Sequence, residues 1–305
     1  MIVHVLIPVR NNIDITTQCL RLLSRQTFKD FDVTVIDDAS TDGTAEFIRK
    51  NFPDVTVLQG DGNLWWAGAI NMGLEHVLSR ATDDDFILTL NDDVTFESNY
   101  IEQLFKAARL RPGFLIGSVS LDKDDYELVV DAGAYFDWRM RKRVLGCYRP
   151  GDHFNDHVNQ LSGRGALIPV TVFQSVGLYA ERRLPHYAAD YELAIRAHRA
   201  GFPACVFYGA VLHSDTSVSG YKFTPFMKLS FGQAWQALFS KKSVYRIETR
   251  LNFLWLCSPR RYLVRDLAVE VLTILQILTS VAPMWHIKIL FRPFVKYIQR
   301  GLQDD

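Results

Sequence analysis

Two short acidic segments each close an apolar run, and acids in that setting can do more than acids scattered over a surface. Leu90-Asn91-Asp92-Asp93-Val94 ends the run Phe86–Leu90, and Asp37-Asp38-Ala39-Ser40 ends the run Val33–Asp37. Adjacent carboxylates after Leu90 suit a divalent cation, Mg2+ or Mn2+, held by one or two protein oxygens with its other positions open to phosphate oxygens. An acid after Ile36 suits hydrogen bonds from a base N–H or a ribose hydroxyl. Each segment alone reads more readily as a turn or a helix cap, since Asp favours both. Two acidic ends in one sheet make the joint reading stronger than either part.

Three further segments carry candidate groups. In Gly60-Asp61-Gly62-Asn63-Leu64-Trp65-Trp66-Ala67-Gly68-Ala69-Ile70-Asn71, Gly68 lets a helix start approach a ligand or another backbone closely. Asn71 is placed to bridge loop and ligand, and the Trp pair fits packing better than stacking on a sugar. Ala189-Asp190-Tyr191-Glu192 opens a helix just after His186. An acid there is either a cap and dipole partner or a general base for an attacking hydroxyl. His213-Ser214-Asp215 follows the apolar run Ala204–Leu212, where a neutral imidazole is either structural or part of a metal shell.

The elements that must hold these groups are legible in the periodicity. Val3–Val9, Val33–Asp37, Val55–Leu58 and Phe86–Leu90 are β-branched or aromatic runs of strand length. Ile15–Arg25, Ala45–Lys50 and Ala67–Leu78 between them repeat at helical spacing. Strands alternating with single helices predict an α/β fold with a doubly wound, mainly parallel sheet. Ligands of such sheets bind beyond the carboxyl ends of the strands, where the acidic segments fall. From Arg109 to Val170 the pattern is irregular; a helix is expected again over Asp190–Ala200, stopped by Gly201. No GxGxxG follows the first strand and no GxxxxGK[ST] occurs anywhere, which sets aside dinucleotide-fold and P-loop chemistry.

Together these pieces resemble family 2 glycosyltransferases of the GT-A fold, in particular the bacterial enzymes that build surface polysaccharides, rhamnosyltransferases among them. The resemblance runs over about residues 2–220. Val5-Leu6-Ile7-Pro8-Val9-Arg10-Asn11 resembles the opening strand and loop against the donor nucleotide, which implies contacts from Pro8 and Arg10. Val35 to Gly43 is similar to the acidic turn that contacts base and ribose, through Asp37 and Asp38. Asn63 to Gly73 resembles the family's Asn-x-Gly-x-x-Gly-x-x-Asn-x-Gly segment, with Trp65 where glycine is usual, and implies donor contacts from Asn63, Trp66, Gly68 and Asn71. Asn91-Asp92-Asp93 takes the place of the DxD motif, implying Asp93 as metal ligand and Asn91 and Asp92 at the donor. Ser162-Gly163-Arg164-Gly165-Ala166 resembles the loop on the acceptor side, with Gly163 and Arg164 there.

Asp190 falls on the aspartate of the family's Glu-Asp motif, which implies the catalytic base of an inverting transfer. The preceding residue is Ala189, not Glu, and Glu192 is expected to take over part of the acceptor contact. His213 and Ser217 match a late His-x-x-x-Ser segment and imply a metal or diphosphate contact. The expected reaction moves a sugar from a nucleotide diphosphate, dTDP-rhamnose or a UDP-sugar, to a hydroxyl of a surface glycan or lipid-linked acceptor. A nucleotidyltransferase or a catalytically degenerate nucleotide-sugar scaffold are the alternatives. The first lacks its Gly-rich phosphate loop, and the second is kept open by Ala189 and Asn91.

The expected organisation is a catalytic domain over 1–221, its donor half about 1–108 and its acceptor half about 109–221, followed by a basic, apolar helical region over 222–305. Between Lys222 and Arg300 stand 13 Lys or Arg against 3 Asp or Glu, whereas residues 1–221 hold 21 against 29. Lys288, Arg292 and Lys296 recur every four residues beside Trp285, Ile289, Phe291 and Phe294, the pattern of a helix at a membrane surface. A helical domain packed on the core or forming a homodimer is the alternative, and no recognition motif points to nucleic acid. The opening run shows no secretory signal and the four cysteines show no pairing rhythm. The expected setting is therefore cytoplasmic, at the inner membrane face, with all four thiols buried.

Overall fold

The computed structural model describes residues 1–151, 153–215 and 229–281. The chain divides into two compact units. The first takes in Met1–Tyr135, Val144–Glu181 and residues 189–215; the second takes in Phe136–Arg143, Arg182–Ala188 and, of its last segment, the described residues 229–281. Set beside the expected break near residue 221, two short earlier segments therefore belong with the later unit.

The first unit begins with the alternation read from the sequence: β1 (Val3–Val9), α1 (Ile13–Ser24), β2 (Phe31–Asp37), α2 (Thr44–Asn51), β3 (Val55–Gln59), α3 (Trp65–Leu78) and β4 (Phe86–Thr89). β1 pairs in parallel with both β2 and β4, and β2 with β3. A parallel strand is covered on both faces, and so β1, VHVLIPV, is apolar at every position but His4 and does not alternate; the buried His4 ring is bonded to Asp32. Helix α3 lies close on this sheet because Gly73 faces it: a Cβ there would stand 2.9 Å from Ile36 Cδ1 and 3.1 Å from Leu6 Cδ2.

The chain continues through β5 (Val94–Phe96), α4 (Tyr100–Leu110), β6 (Leu115–Asp122), β7 (Val129–Asp131), β8 (Ala134–Asp137), β9 (Lys142–Leu145), β10 (Phe154–Asn155), β11 (Ala166–Pro169), α5 (Val170–Val176), α6 (Ala189–Arg199) and β12 (Ala204–Ser214), all in the first unit except that Phe136–Arg143, the facing halves of β8 and β9, falls in the second. The main sheet runs β10-β12-β6-β11-β4-β1-β2-β3, with β5 on β12 and β7 on β6, while β8 and β9 form a separate hairpin. β11 is antiparallel to both its neighbours and β6 is parallel to β12, so β1–β4, β6 and β12 share one direction. The expected doubly wound, mainly parallel sheet is thus found, with antiparallel strands interleaved in its second half. β6 is buried along its whole length, yet Gly117, Ser118 and Ser120 broke its apolar run and left it inside the stretch that reads as irregular.

The second unit packs α7 (Phe231–Phe239), α8 (Ile247–Cys257) and α9 (Arg260–Leu278). Ser230 and Gln233 close α7 with a reciprocal capping box. Two of its acids are buried under arginines: Glu270 takes Arg250 and Arg141, and Asp266 takes Arg265, Arg141 and the Ser258 hydroxyl. Part of the basic charge is therefore spent inside the unit. No described helix is long and apolar enough to cross a membrane. The membrane-surface pattern from Trp285 to Lys296 lies outside the described residues. Cys19, Cys205 and Cys257 are buried as expected, but Cys147 is exposed.

Candidate active site

Parallel register places the carboxyl ends of β1, β2 and β3 side by side, with Val9 opposite Asp37 and Asp37 opposite Gln59. The loops that follow interlock. The Asn11 N–H donates to Ser40 Oγ (2.8 Å), and the Thr41 N–H donates to Asn11 Oδ1 (2.7 Å). Asp38 organises the next loop by accepting N–H bonds from Gly62, Leu64 and Trp65, and it pairs with Arg10, which also donates to the Gly62 carbonyl. Asp37 accepts from the Ser40 N–H, while its Oδ2 is buried without a hydrogen-bond partner among the described residues. Pro8 closes β1 opposite Ile36, and Asn63 stands exposed at the loop tip.

Backbone strain gathers at these loops. Asn11, Ala39 and Trp65 all have positive φ, 51°, 54° and 57°, a conformation that costs a non-glycine residue about 1–2 kcal/mol. Trp65 occupies the position where glycine is usual in the resembled motif, and its backbone shows why glycine suits that place.

The acidic end of β4 sorts its three residues by what they touch. Asn91 Oδ1 accepts the Trp66 indole N–H at 3.0 Å. Asp92 is turned towards α1, where Oδ2 accepts from Asn12 Nδ2 (3.0 Å) and from the Thr16 hydroxyl (2.9 Å). Burial pushes its carboxyl up to about 6, with the Asp93 charge adding to the rise. Asp93 is different: its Oδ1 is buried and has no hydrogen-bond partner among the described residues. An acceptor orphaned in this way fits a cation held by one carboxylate and completed by substrate phosphates and water. Among the described residues no group of three His, Cys, Asp or Glu forms a protein-only cage.

Two residues expected at ligands are fully engaged elsewhere. Asn71 is buried; its Nδ2 donates to the Tyr179 carbonyl and to Glu181 Oε2, and its Oδ1 accepts the Tyr179 N–H. It ties α3 to the segment after α5. Glu192 is 3 % exposed, and both its oxygens are taken by Arg196, which also donates to the Val176 and Leu178 carbonyls. The expected acceptor contact at Glu192 is replaced by a staple between α6 and the end of α5. Gly68 is buried in α3 beside Glu181.

Asp190 opens α6 and is held by two backbone donors, the Gly163 N–H to Oδ2 and the Tyr191 N–H to Oδ1, both at 2.9 Å. Burial pushes its carboxyl up to about 6 in spite of these bonds, which pull the other way. A partly accessible carboxylate with that proton affinity is suited to general-base work near neutral pH. Next to Gly163, Arg164 donates from Nη1 to Ser214 Oγ (3.0 Å), while its Nε is buried without a partner among the described residues. His213 lies opposite Thr95 and its ring packs on Tyr126, 4.5 Å between centroids. It lines a cavity of about 410 Å³ with Gln18, Arg25 and Tyr126. No bond joins it to Asp93, the other expected metal ligand, and Ser217 lies outside the described residues. Asn12, Thr16 and Tyr179 serve the site without having been assigned a role; for Asn12 the only signal was its place in the loop after β1.

The family model described as Glycosyl transferase family 2 matches residues 4–168, more than half of the chain. The N-acetylglucosaminyl-diphospho-decaprenol L-rhamnosyltransferase of Mycobacterium tuberculosis is 27% identical over 229 residues, 66% of this chain and 72% of that one. Two solved structures share the fold. GalNAc-T7 with UDP, GalNAc and Mn2+ has a TM-score of 0.58 at 13% identity; the match takes in 90% of this chain and only 57% of that one. The mannosyltransferase PcManGT from Pyrobaculum calidifontis, in complex with GDP-Man and Mn2+, has a TM-score of 0.54 at 15% identity over 98% of this chain and 84% of that one.

Proposed function

This chain belongs to glycosyl transferase family 2, and from that premise we propose that it is a metal-dependent, inverting glycosyltransferase. It takes a sugar from a nucleotide diphosphate, dTDP-rhamnose or a UDP-sugar, to a hydroxyl of a surface glycan or a lipid-linked acceptor. Asp190 carries the reading: a carboxylate held by two backbone N–H groups, with its proton affinity raised by burial to about 6. It takes the acceptor proton as the hydroxyl oxygen bonds to the anomeric carbon. The bond from that carbon to the diphosphate oxygen breaks on the opposite face, and the nucleoside diphosphate leaves. The transition state has oxocarbenium character, as in glycoside hydrolysis. The rhamnose donor and lipid-linked acceptor are favoured by the likeness to the mycobacterial rhamnosyltransferase.

Asp93 is the residue that would hold the cation, and a bound cation supplies positive charge against the departing diphosphate. The loops around Asp37 and Asp38 face the nucleoside, with Arg10 and Asn63 at their rim. Arg164, whose Nε lacks a partner among the described residues, offers a donor on the acceptor side. His213 would join the metal shell through a ring nitrogen, which its packing on Tyr126 does not occupy.

The reading is tested by thermal shift with UDP, dTDP and GDP and their sugars, each with Mn2+, Mg2+ or EDTA. A ligand at 100 times its dissociation constant stabilises by about 2.7 kcal/mol. A cation-dependent shift with one pyrimidine diphosphate is expected. No shift with any donor on folded protein would turn the reading towards a degenerate scaffold.

A membrane surface is a partner in this reading. On α7, Phe231, Trp235 and Phe239 are 72%, 56% and 49% exposed and stack along one face, just before Lys241 and Lys242. Aromatic residues next to lysines suit the interface of an anionic bilayer. Sedimentation with phosphatidylglycerol vesicles should pull the protein down, and Trp235→Ser with Phe239→Ser should release it. Equal binding to pure phosphatidylcholine, or none to either, would sink the proposal.

A further inference from the structure

We infer that Trp66 is a positioning residue for the base: its indole wedges the loop around Gly163 into the place from which the Gly163 N–H holds Asp190, and it ties that loop to the acidic end of β4. The inference rests on the reading of Asp190 as the base.

Trp66 is half-buried, and three protein groups hold its ring. The indole N–H donates to Asn91 Oδ1 at 3.0 Å. The benzo edge lies so close over Gly163 that a Cβ there would collide with Cζ2 and Cη2. Tyr179 packs edge-on, 5.3 Å between centroids at 86°. Tyr179 is itself buried and clamped by the reciprocal bonds with Asn71. The indole is thus buttressed from behind and presses on the one loop residue whose N–H reaches Asp190, at 2.9 Å. Glycine at 163 is required by this close approach. A sugar-stacking tryptophan would instead leave a ring face open to the ligand, with its N–H available to it.

The consequence has a definite sign. A hydrogen bond to an ionised carboxylate favours the charged form, so losing the Gly163 bond raises the proton affinity of Asp190. One such bond corresponds to about tenfold, roughly one pH unit. With Trp66→Ala, the acid limb of kcat is expected to move up by about one pH unit. Turnover should fall nearly tenfold at pH 5 but only about twofold at pH 7, and recover at higher pH, with the donor KM within about twofold. The probe is whichever of UDP-glucose, UDP-N-acetylglucosamine and dTDP-rhamnose is turned over or hydrolysed. Gly163→Ala, which drives a methyl into the same indole, should move the limb in the same direction, and Trp66→Phe, which keeps the wedge, should move it least. An increase in KM with an unmoved limb would mean that Trp66 stacks on substrate, and would overturn the inference.

A measurement without substrate separates this inference from the reading beneath it. In protein labelled with 15N-glycine, the Gly163 amide should titrate with Asp190, near pH 6. Its midpoint should rise or its response vanish in Trp66→Ala, and the response should be absent in Asp190→Asn. An unchanged Gly163 titration in Trp66→Ala, together with an unmoved acid limb in Gly163→Ala, refutes the positioning role. The expected titrations combined with undiminished turnover in Asp190→Asn would instead remove Asp190 as the base and leave the wedge standing as a structural contact.

Discussion

Asp190→Asn is expected to lower turnover about 10²–10⁴-fold, the usual contribution of one positioned base, while leaving the thermal shift given by the nucleotide donor unchanged. The side chain keeps its size and an acceptor for the Gly163 N–H and gives up the Tyr191 N–H bond made by the second oxygen, so loss of that proton-accepting oxygen is the main change. The wild-type rate should fall as pH drops through about 6, where the carboxyl takes up its proton, and this limb should be missing from the residual rate of the variant. Stability should move the other way. A carboxyl whose folded proton affinity is raised from 3.8 to about 6 adds stability below pH 4 and loses it as pH rises through 6. The amide carries no charge at any pH, so the variant should melt higher than wild type at pH 7.5 and lose that advantage near pH 4. An equal loss of donor affinity in Asp190→Asn, read from the same melting curves, would count against the base assignment.

The strands that carry the site were legible because parallel strands covered on both faces must be apolar throughout. β1 was found where the run Val3–Val9 put it, and β2, β3 and β4 began or ended within two residues of expectation. The loops after them were legible for a related reason: polar residues that abruptly end an apolar run mark where the chain leaves the sheet. What each side chain touches was not legible. Asn71 is paired with Tyr179 from 108 positions away, and nothing near Asn71 announces that partner. Glu192 could have been found, since Arg196 follows at the i,i+4 spacing of a helical ion pair. The resemblance gave Glu192 to the acceptor, and the local pairing rule was passed over. Asn91 and Asp92 looked alike as donor contacts until geometry showed one bonded to an indole and the other turned back into α1.

Asp93→Asn is expected to abolish the cation-dependent part of donor binding and to lower turnover by at least about 10²-fold, since charge stabilisation of a departing diphosphate is worth several kcal/mol. The thermal shift with UDP or dTDP in Mn2+ should fall to its value in EDTA. Asp92→Asn is the control that makes the result specific. Asp92 already spends Oδ2 on Asn12 and Thr16, and an amide oxygen can accept both bonds. Its folded proton affinity is raised to about 6 by burial, so a neutral amide should raise the melting temperature at pH 7.5 and leave the Mn2+ response in place. The two neighbours should therefore diverge: one variant loses the metal response at little cost in stability, and the other keeps it and gains stability. Loss of the Mn2+ response in Asp92→Asn, with Asp93→Asn unaffected, would exchange their roles, and the orphaned oxygen of Asp93 would then have to be satisfied by something other than a cation.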